Sequence, residues 1–141
     1  MSAKSQTPER GLLDTSTFVH LWRLPDTQAL PAEPMISAVT LAELAVGPLV
    51  AQGEDERARR QALLQWAEAD FVPLPFDAEA ARAFGAVSAS LREAGRKVTA
   101  RTFDSMIAAT AIANDLPVHT CNPRDFERID RLEVVAVLVP D

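Results

Sequence analysis

A single cysteine, two histidines and no tyrosine are all that the sequence offers of those residue types. One cysteine, Cys121, cannot close an internal disulfide, and with only His20 and His119 beside it no cysteine–histidine metal cluster can be assembled. Cys121 ends a β-branched run and reads as a buried, inert thiol more than as a nucleophile. Long apolar runs are missing too: none reaches the roughly 18 residues of a membrane span, and the first residues lack the apolar centre of a signal peptide. The expected location is therefore cytoplasmic, with no membrane partner. Positive charge is scarce, 14 Lys and Arg against 20 Asp and Glu for a net charge of −6. That balance speaks against a broad basic coat for nucleic acid. It leaves room for a nuclease, whose acidic metal site adds negative charge while a basic rim guides phosphates.

What is present fits one domain of ordinary globular composition, 141 residues with 48% hydrophobic and 24% charged. Residues 1–9 are polar and are expected to be a disordered lead-in, with the domain occupying 10–141. Gly11-Leu12-Leu13-Asp14 reads as a short strand ending in a carboxylate. Thr15, Ser16 and Thr17 are candidate N-caps for a helix carrying Phe18, Leu21, Trp22 and Leu24. Pro25 to Pro34 reads as a loop. Met35 to Val39 is the next strand, and Thr40 to Glu43 opens a helix ending near Gly47-Pro48. Threonine followed three residues later by glutamate is the capping-box pattern, in which Glu43 folds back onto a backbone amide.

Glu54 to Ala69 forms a charged helix with Leu63, Leu64 and Trp66 inward, and Phe71 to Leu74 a strand confined by Pro73 to an edge or a strand end. Asp77 caps a long helix to about Ala94, stopped by Gly95. From Arg101 a small-residue helix sets Ile107, Ala108, Ala111 and Ile112 on the same face as Asp104. Asn114, Asp115 and Pro117 stop it. The strand Val118 to Cys121 then runs into Asn122-Pro123-Arg124-Asp125, and Leu132 to Leu138 forms the last strand. Strands alternating with helices predict a three-layer α/β/α fold with a mainly parallel central sheet.

Ligands of such sheets bind beyond the carboxyl ends of the strands. Asp14 and Asn122 belong to that edge, Glu43 lies a few residues past the second strand, and Asp104 faces them from a helix start. A carboxylate at the head of a buried stripe needs a cation. Oxygen donors of this kind suit Mg²⁺ or Mn²⁺, which acidify water and polarise phosphoryl oxygens, so the reaction class is phosphodiester hydrolysis.

Four segments carry a family resemblance: Leu12 to Ser16, Ser37 to Leu44, Arg101 to Ala111 and Thr120 to Phe126. Together they resemble the PIN-domain ribonucleases, specifically the VapC-type toxins of type II toxin–antitoxin systems. The resemblance runs from about Gly11 to the C-terminus and implies a PIN-like fold and a Mg²⁺- or Mn²⁺-dependent endoribonuclease. It further implies a homodimer inhibited by a VapB-type antitoxin whose C-terminal segment enters the active-site groove. By position, Asp14 and Asp104 correspond to the primary metal ligands and Glu43 to the third acid. Many PIN domains have an aspartate where this chain has Asn122, and VapC-like members often pair asparagine there with an acid three positions on, here Asp125. Asparagine offers a neutral oxygen and cannot act as a base.

Thr15 and Ser16 are N-caps first, although a hydroxyl beside Asp14 can also orient a metal-bound water and contact RNA. Arg92, Arg96, Lys97 and Arg101 form either a solvated face or an RNA-guiding rim, and Arg124 either contacts phosphate or covers the sheet edge. Phe18, Leu21 and Trp22 belong to the core, with part of that face open to a dimer or antitoxin contact. Two other functions compete: a non-catalytic protein- or RNA-binding module on the same scaffold, and an aspartate-nucleophile phosphatase. The second is weakened because no acid stands two residues after Asp14.

Overall fold

The structure, a computed structural model, describes residues 9–24, 30–97 and 101–138. The expected disordered lead-in falls outside these residues except for Glu9, as do residues 25–29 of the expected loop and the side chain of Trp22. Four parallel strands, β1 (Arg10–Leu13), β2 (Glu33–Met35), β3 (Val118–Thr120) and β4 (Val134–Ala136), stand in the order β2-β1-β3-β4. Pro34 lies in β2, an edge strand, where a missing N–H is tolerated.

Among the described residues five α-helices cover the sheet: α1 (Thr15–His20), α2 (Ala38–Val50), α3 (Glu54–Asp70), α4 (Ala78–Glu93) and α5 (Thr102–Ala113). The alternation of β1 divides the core between the two faces. Leu12 packs with Val87, Leu91, Ile107 and Ala108 of α4 and α5, whereas Leu13 packs with Phe18, Leu44 and Ala67 of α1, α2 and α3. This is the expected three-layer α/β/α arrangement. Phe18 is fully buried, stacked on Trp66 at 4.8 Å between ring centroids and met edge-on by Phe71 at 5.2 Å. Its face is core, as the sequence suggests. Among the described residues no helix is long and apolar enough to cross a membrane.

Several local expectations change. The second strand ends at Met35, and α2 begins at Ala38 with Ser37 as N-cap, its side chain accepting the Thr40 amide at 3.1 Å. Ser37 thereby removes the capping-box role assigned to Thr40 and Glu43. Pro48 does not end α2, which runs on to Val50. The last-turn carbonyls of Gly47 and Pro48 accept hydrogen bonds from Arg60 and Arg57 of α3, at 3.0 and 3.3 Å, which satisfies groups that the end of the helix leaves without an amide. The strand expected at Phe71 to Leu74 contracts to one parallel bridge, Leu74 with Ser37. By contrast, Asp77 caps α4 by accepting the Ala80 amide, and Gly95 follows it at φ +77°.

Candidate metal and RNA site

The chain leaves β1 toward β2 on one side and returns as β3 on the other, so the carboxyl ends of β1 and β3 flank a topological switch point. Ligand sites of parallel sheets lie there. Asp14 directly follows β1. It is 3% exposed and is the N-cap of α1, its Oδ1 accepting the Thr17 amide at 3.2 Å. Thr15, Ser16 and Thr17 are therefore not caps. Register sets Leu13 opposite His119, which brings the Asp14 carboxylate beside Thr120 at the end of β3. The Thr120 hydroxyl donates to Asp14 Oδ2 at 2.8 Å, and Ser16 donates to the same oxygen at 3.4 Å. Burial pushes the Asp14 carboxyl above its ordinary range, and these donors pull it partly back.

Asp104, in the first turn of α5, completes the acidic group. Its pKa rises from 3.8 to about 6, chiefly through burial, then through the charges of Asp125, Asp14 and Glu43, with Arg101 opposing. Asp14, Glu43 and Asp125 all act on Asp104, so four separate segments meet at one place. Glu43, one turn into α2, takes a hydrogen bond on Oε1 from the Thr15 hydroxyl at 2.5 Å, and Thr15 is 2.9 Å from the Thr40 hydroxyl. Thr15 thus orients an acid rather than a helix end.

The fourth corner follows β3. Asn122 is exposed, with its side-chain amide donating to Ser16 at 3.0 Å and its backbone amide to Thr120 at 2.9 Å. Asp125 stands in the short helical turn Pro123–Phe126 and forms an ion pair with Arg101. Arg96 donates to the carbonyls of Arg124 and Glu127, at 3.1 and 2.9 Å, and clasps that turn from outside. Of the expected basic rim, Arg96 and Arg101 are thus engaged within the protein. Arg124 is exposed, and its side chain makes no contact with the acids among the described residues.

Three contributors escaped the sequence reading: Thr17, Thr40 and Thr120, all fully buried. The Thr17 hydroxyl accepts the Cys121 amide at 2.9 Å and ties the exit of β3 to α1. The available signal was spacing, since Thr17 stands three residues after Asp14 and Thr40 three before Glu43, on shared helical faces. Cys121 is half-buried, and burial raises its thiol pKa, in keeping with an unreactive side chain.

Among the described residues no three His, Cys, Asp or Glu side chains stand in ready-made ion-binding geometry. The donor set nonetheless fits a hard divalent cation: it is all oxygen, and the charges of Asp125, Asp14 and Glu43 add to burial in raising the Asp104 pKa to about 6. A groove of about 390 Å³ opens beside Glu43 and Thr15, lined by Val19, Leu44, Val46 and Val50. It shares Val19, Arg60 and Leu63 with a second apolar groove of about 570 Å³ between α1 and α3.

An acid group at the switch point of a small parallel α/β/α domain defines the class. The chain belongs to the PIN-domain family, whose pattern matches residues 11–132. Within that family it falls among the VapC-type ribonucleases. It is similar to Ribonuclease VapC5 of Mycobacterium tuberculosis, 40% identical over 136 residues that cover 95% of this chain and 98% of the relative. It is also similar to Ribonuclease VapC1 of Rickettsia felis, 30% identical over 133 residues, covering 94% and 90% respectively. The crystal structure of VapBC-5 from M. tuberculosis, a member of the VapBC family of toxin–antitoxin systems, matches with a TM-score of 0.82. It is 41% identical and covers 92% of this chain and 100% of that one.

Proposed function

We propose that this ribonuclease is the toxin of a toxin–antitoxin pair, an endoribonuclease that cleaves RNA at the carboxyl ends of β1 and β3. The observation that carries the reading is the meeting of Asp14, Glu43 and Asp104, close enough for Asp125, Asp14 and Glu43 to add to the burial that lifts the Asp104 pKa to about 6. Asp14, Asp104 and Glu43, with the neutral oxygen of Asn122, would hold a divalent ion of the Mg²⁺ or Mn²⁺ class, which when bound supplies charge for the phosphodiester oxygens and acidifies water. Asp14 is the fixed corner, oriented by Thr17, Ser16 and Thr120. Glu43 lines the groove and serves as the third acid of the site. Asp125, already paired with Arg101, serves as the outermost acid and keeps that guanidinium beside the site, where it can meet a phosphate. Thr15, Ser16 and Arg124 complete the RNA contacts.

The partner is a VapB-type antitoxin. Val46 and Val50, more than half exposed on α2 beyond Glu43, line a groove that a segment with apolar side chains and a terminal cation would fill. We further assign a homodimer in the cytoplasm, with the nuclease domain extending over residues 10–141. Purified protein freed of its partner should cleave RNA in Mg²⁺ or Mn²⁺, and Asp104→Asn should abolish cleavage while leaving the circular dichroism unchanged. Cleavage retained by that variant would refute the reading in favour of another site. Absence of both cleavage and Mn²⁺ binding in the parent would leave a non-catalytic module.

A further inference from the structure

We infer that Thr40 is a positioning residue for metal binding, acting on Glu43 through the hydroxyl of Thr15. The inference rests on the nuclease reading above. Thr40 is fully buried, in the first turn of α2, and its Oγ1 is 2.9 Å from Thr15 Oγ1, which in turn is 2.5 Å from Glu43 Oε1. Each hydroxyl has one proton, which fixes the direction of the chain. A carboxylate only accepts, so Thr15 spends its proton on Glu43. The contact between the two threonines then requires Thr40 as donor and Thr15 as acceptor. The Thr15 hydroxyl is thereby held at both ends and cannot rotate away, and successive donors polarise one another toward the carboxylate.

The chain fixes Oε1 and leaves Oε2 without a protein hydrogen bond among the described residues. A carboxylate anchored by one oxygen and open at the other is pre-oriented for a cation. The anchors are neutral hydroxyls, which orient Glu43 without the competing positive charge that an arginine in the same place would bring. Thr40 also differs from the other residues of the α2 start. Its amide is engaged by the Ser37 cap, so the hydroxyl is not needed to begin the helix. Loss of partners that orient a ligating side chain typically weakens metal affinity 10- to 100-fold.

The test compares Thr40→Val, which keeps the shape and removes the hydroxyl, with Thr40→Ser, which keeps the hydroxyl. Mn²⁺ binding to the whole protein is followed by calorimetry, and cleavage is followed against Mn²⁺ concentration. Thr40→Val should weaken Mn²⁺ binding about 10-fold and raise the Mn²⁺ concentration for half-maximal cleavage to match, with KM for RNA unchanged. Thr40→Ser should restore both. Parent-like Mn²⁺ affinity in Thr40→Val, or equal loss in Thr40→Ser, would overturn the inference, the latter by assigning the effect to packing. Should Thr40→Val not fold, Thr40→Ala carries the same comparison. Asp104→Asn serves as the separate check: if it retains Mn²⁺ binding and cleavage, the nuclease reading itself fails. If it loses them while Thr40→Val does not, only the positioning role of Thr40 fails.

Discussion

Replacing Asp104 by asparagine should stabilise the metal-free protein at neutral pH while destroying its activity. The folded-state pKa of Asp104 is raised from 3.8 to about 6, so the native state binds its proton more tightly than the unfolded chain. The stability linked to that proton is full below 3.8 and is lost as pH rises through about 6. At pH 7.5 the ionised side chain therefore works against folding, and asparagine, which resembles the neutral form, removes the conflict. A rise of about two units corresponds to at most ~3 kcal/mol. Solvent screening at this half-buried group reduces that to about 1.5 kcal/mol. Losing an acid from the first turn of α5 takes back ~0.5 kcal/mol. The remainder, about 1 kcal/mol, is a rise in Tm of ~4 °C for a domain of this size. Scanning calorimetry in a chelator at pH 7.5 and again at pH 4 measures it directly. The gain should shrink as pH falls through 6 and vanish near 4. Mn²⁺ should raise the Tm of the parent, since a ligand of the native state stabilises it, and leave the variant unmoved. An asparagine variant that melts no higher than the parent in chelator would show that burial and the neighbouring acids do not raise the Asp104 pKa, and the argument for a cation between them would fall.

Asp125→Asn should lower the titration midpoint of Asp104 below 6, because it removes the largest charge raising it and frees Arg101, which opposes the rise; carboxyl NMR titration in chelator reads the shift. Gly11→Ala should cost about 1–3 kcal/mol in urea unfolding, since a Cβ there would come within 2.3 Å of the buried His119 ring and 3.2 Å of Pro31. Arg96→Met should cost about 1 kcal/mol or less, because the two hydrogen bonds it removes are exposed. Its sharper sign is faster hydrogen exchange at the Asp125 amide, which closes the turn on the Asn122 carbonyl at 2.9 Å.

Most elements were legible because each was marked by local chemistry. Asp77 and Gly95 bracket α4, the alanine-rich stripe after Asp104 defines α5, and Pro117 separates α5 from β3. The misreadings arose where two local patterns overlapped or a distant residue decided the outcome. Ser37 and Thr40 each begin a capping pattern, and the chain uses the earlier one, which frees Thr40 and Glu43 for the site. Pro48 reads as a stop, yet α2 passes it and runs on to Val50, its end held against α3 by the hydrogen bonds of Arg57 and Arg60 to the Pro48 and Gly47 carbonyls. The four acid-bearing segments were recognisable from their order along the chain. Thr120 was not, because it reaches Asp14 only through the parallel register of β1 and β3.

The choice of partners explains how such a site stays both ordered and reactive. Like charges gathered at one point can be restrained by cations or by neutral donors, and the two solutions differ in what they leave behind. Arginine cancels charge, and among the described residues the site's ion pair is that of Arg101 with Asp125 at the outer rim. Asp14 and Glu43 are held by threonine and serine hydroxyls and a backbone amide, which fix direction without bringing in a cation. Asp104 carries the resulting repulsion. Arg101 only partly offsets the burial and repulsion at Asp104, a cost to stability that the proposed cation site accounts for.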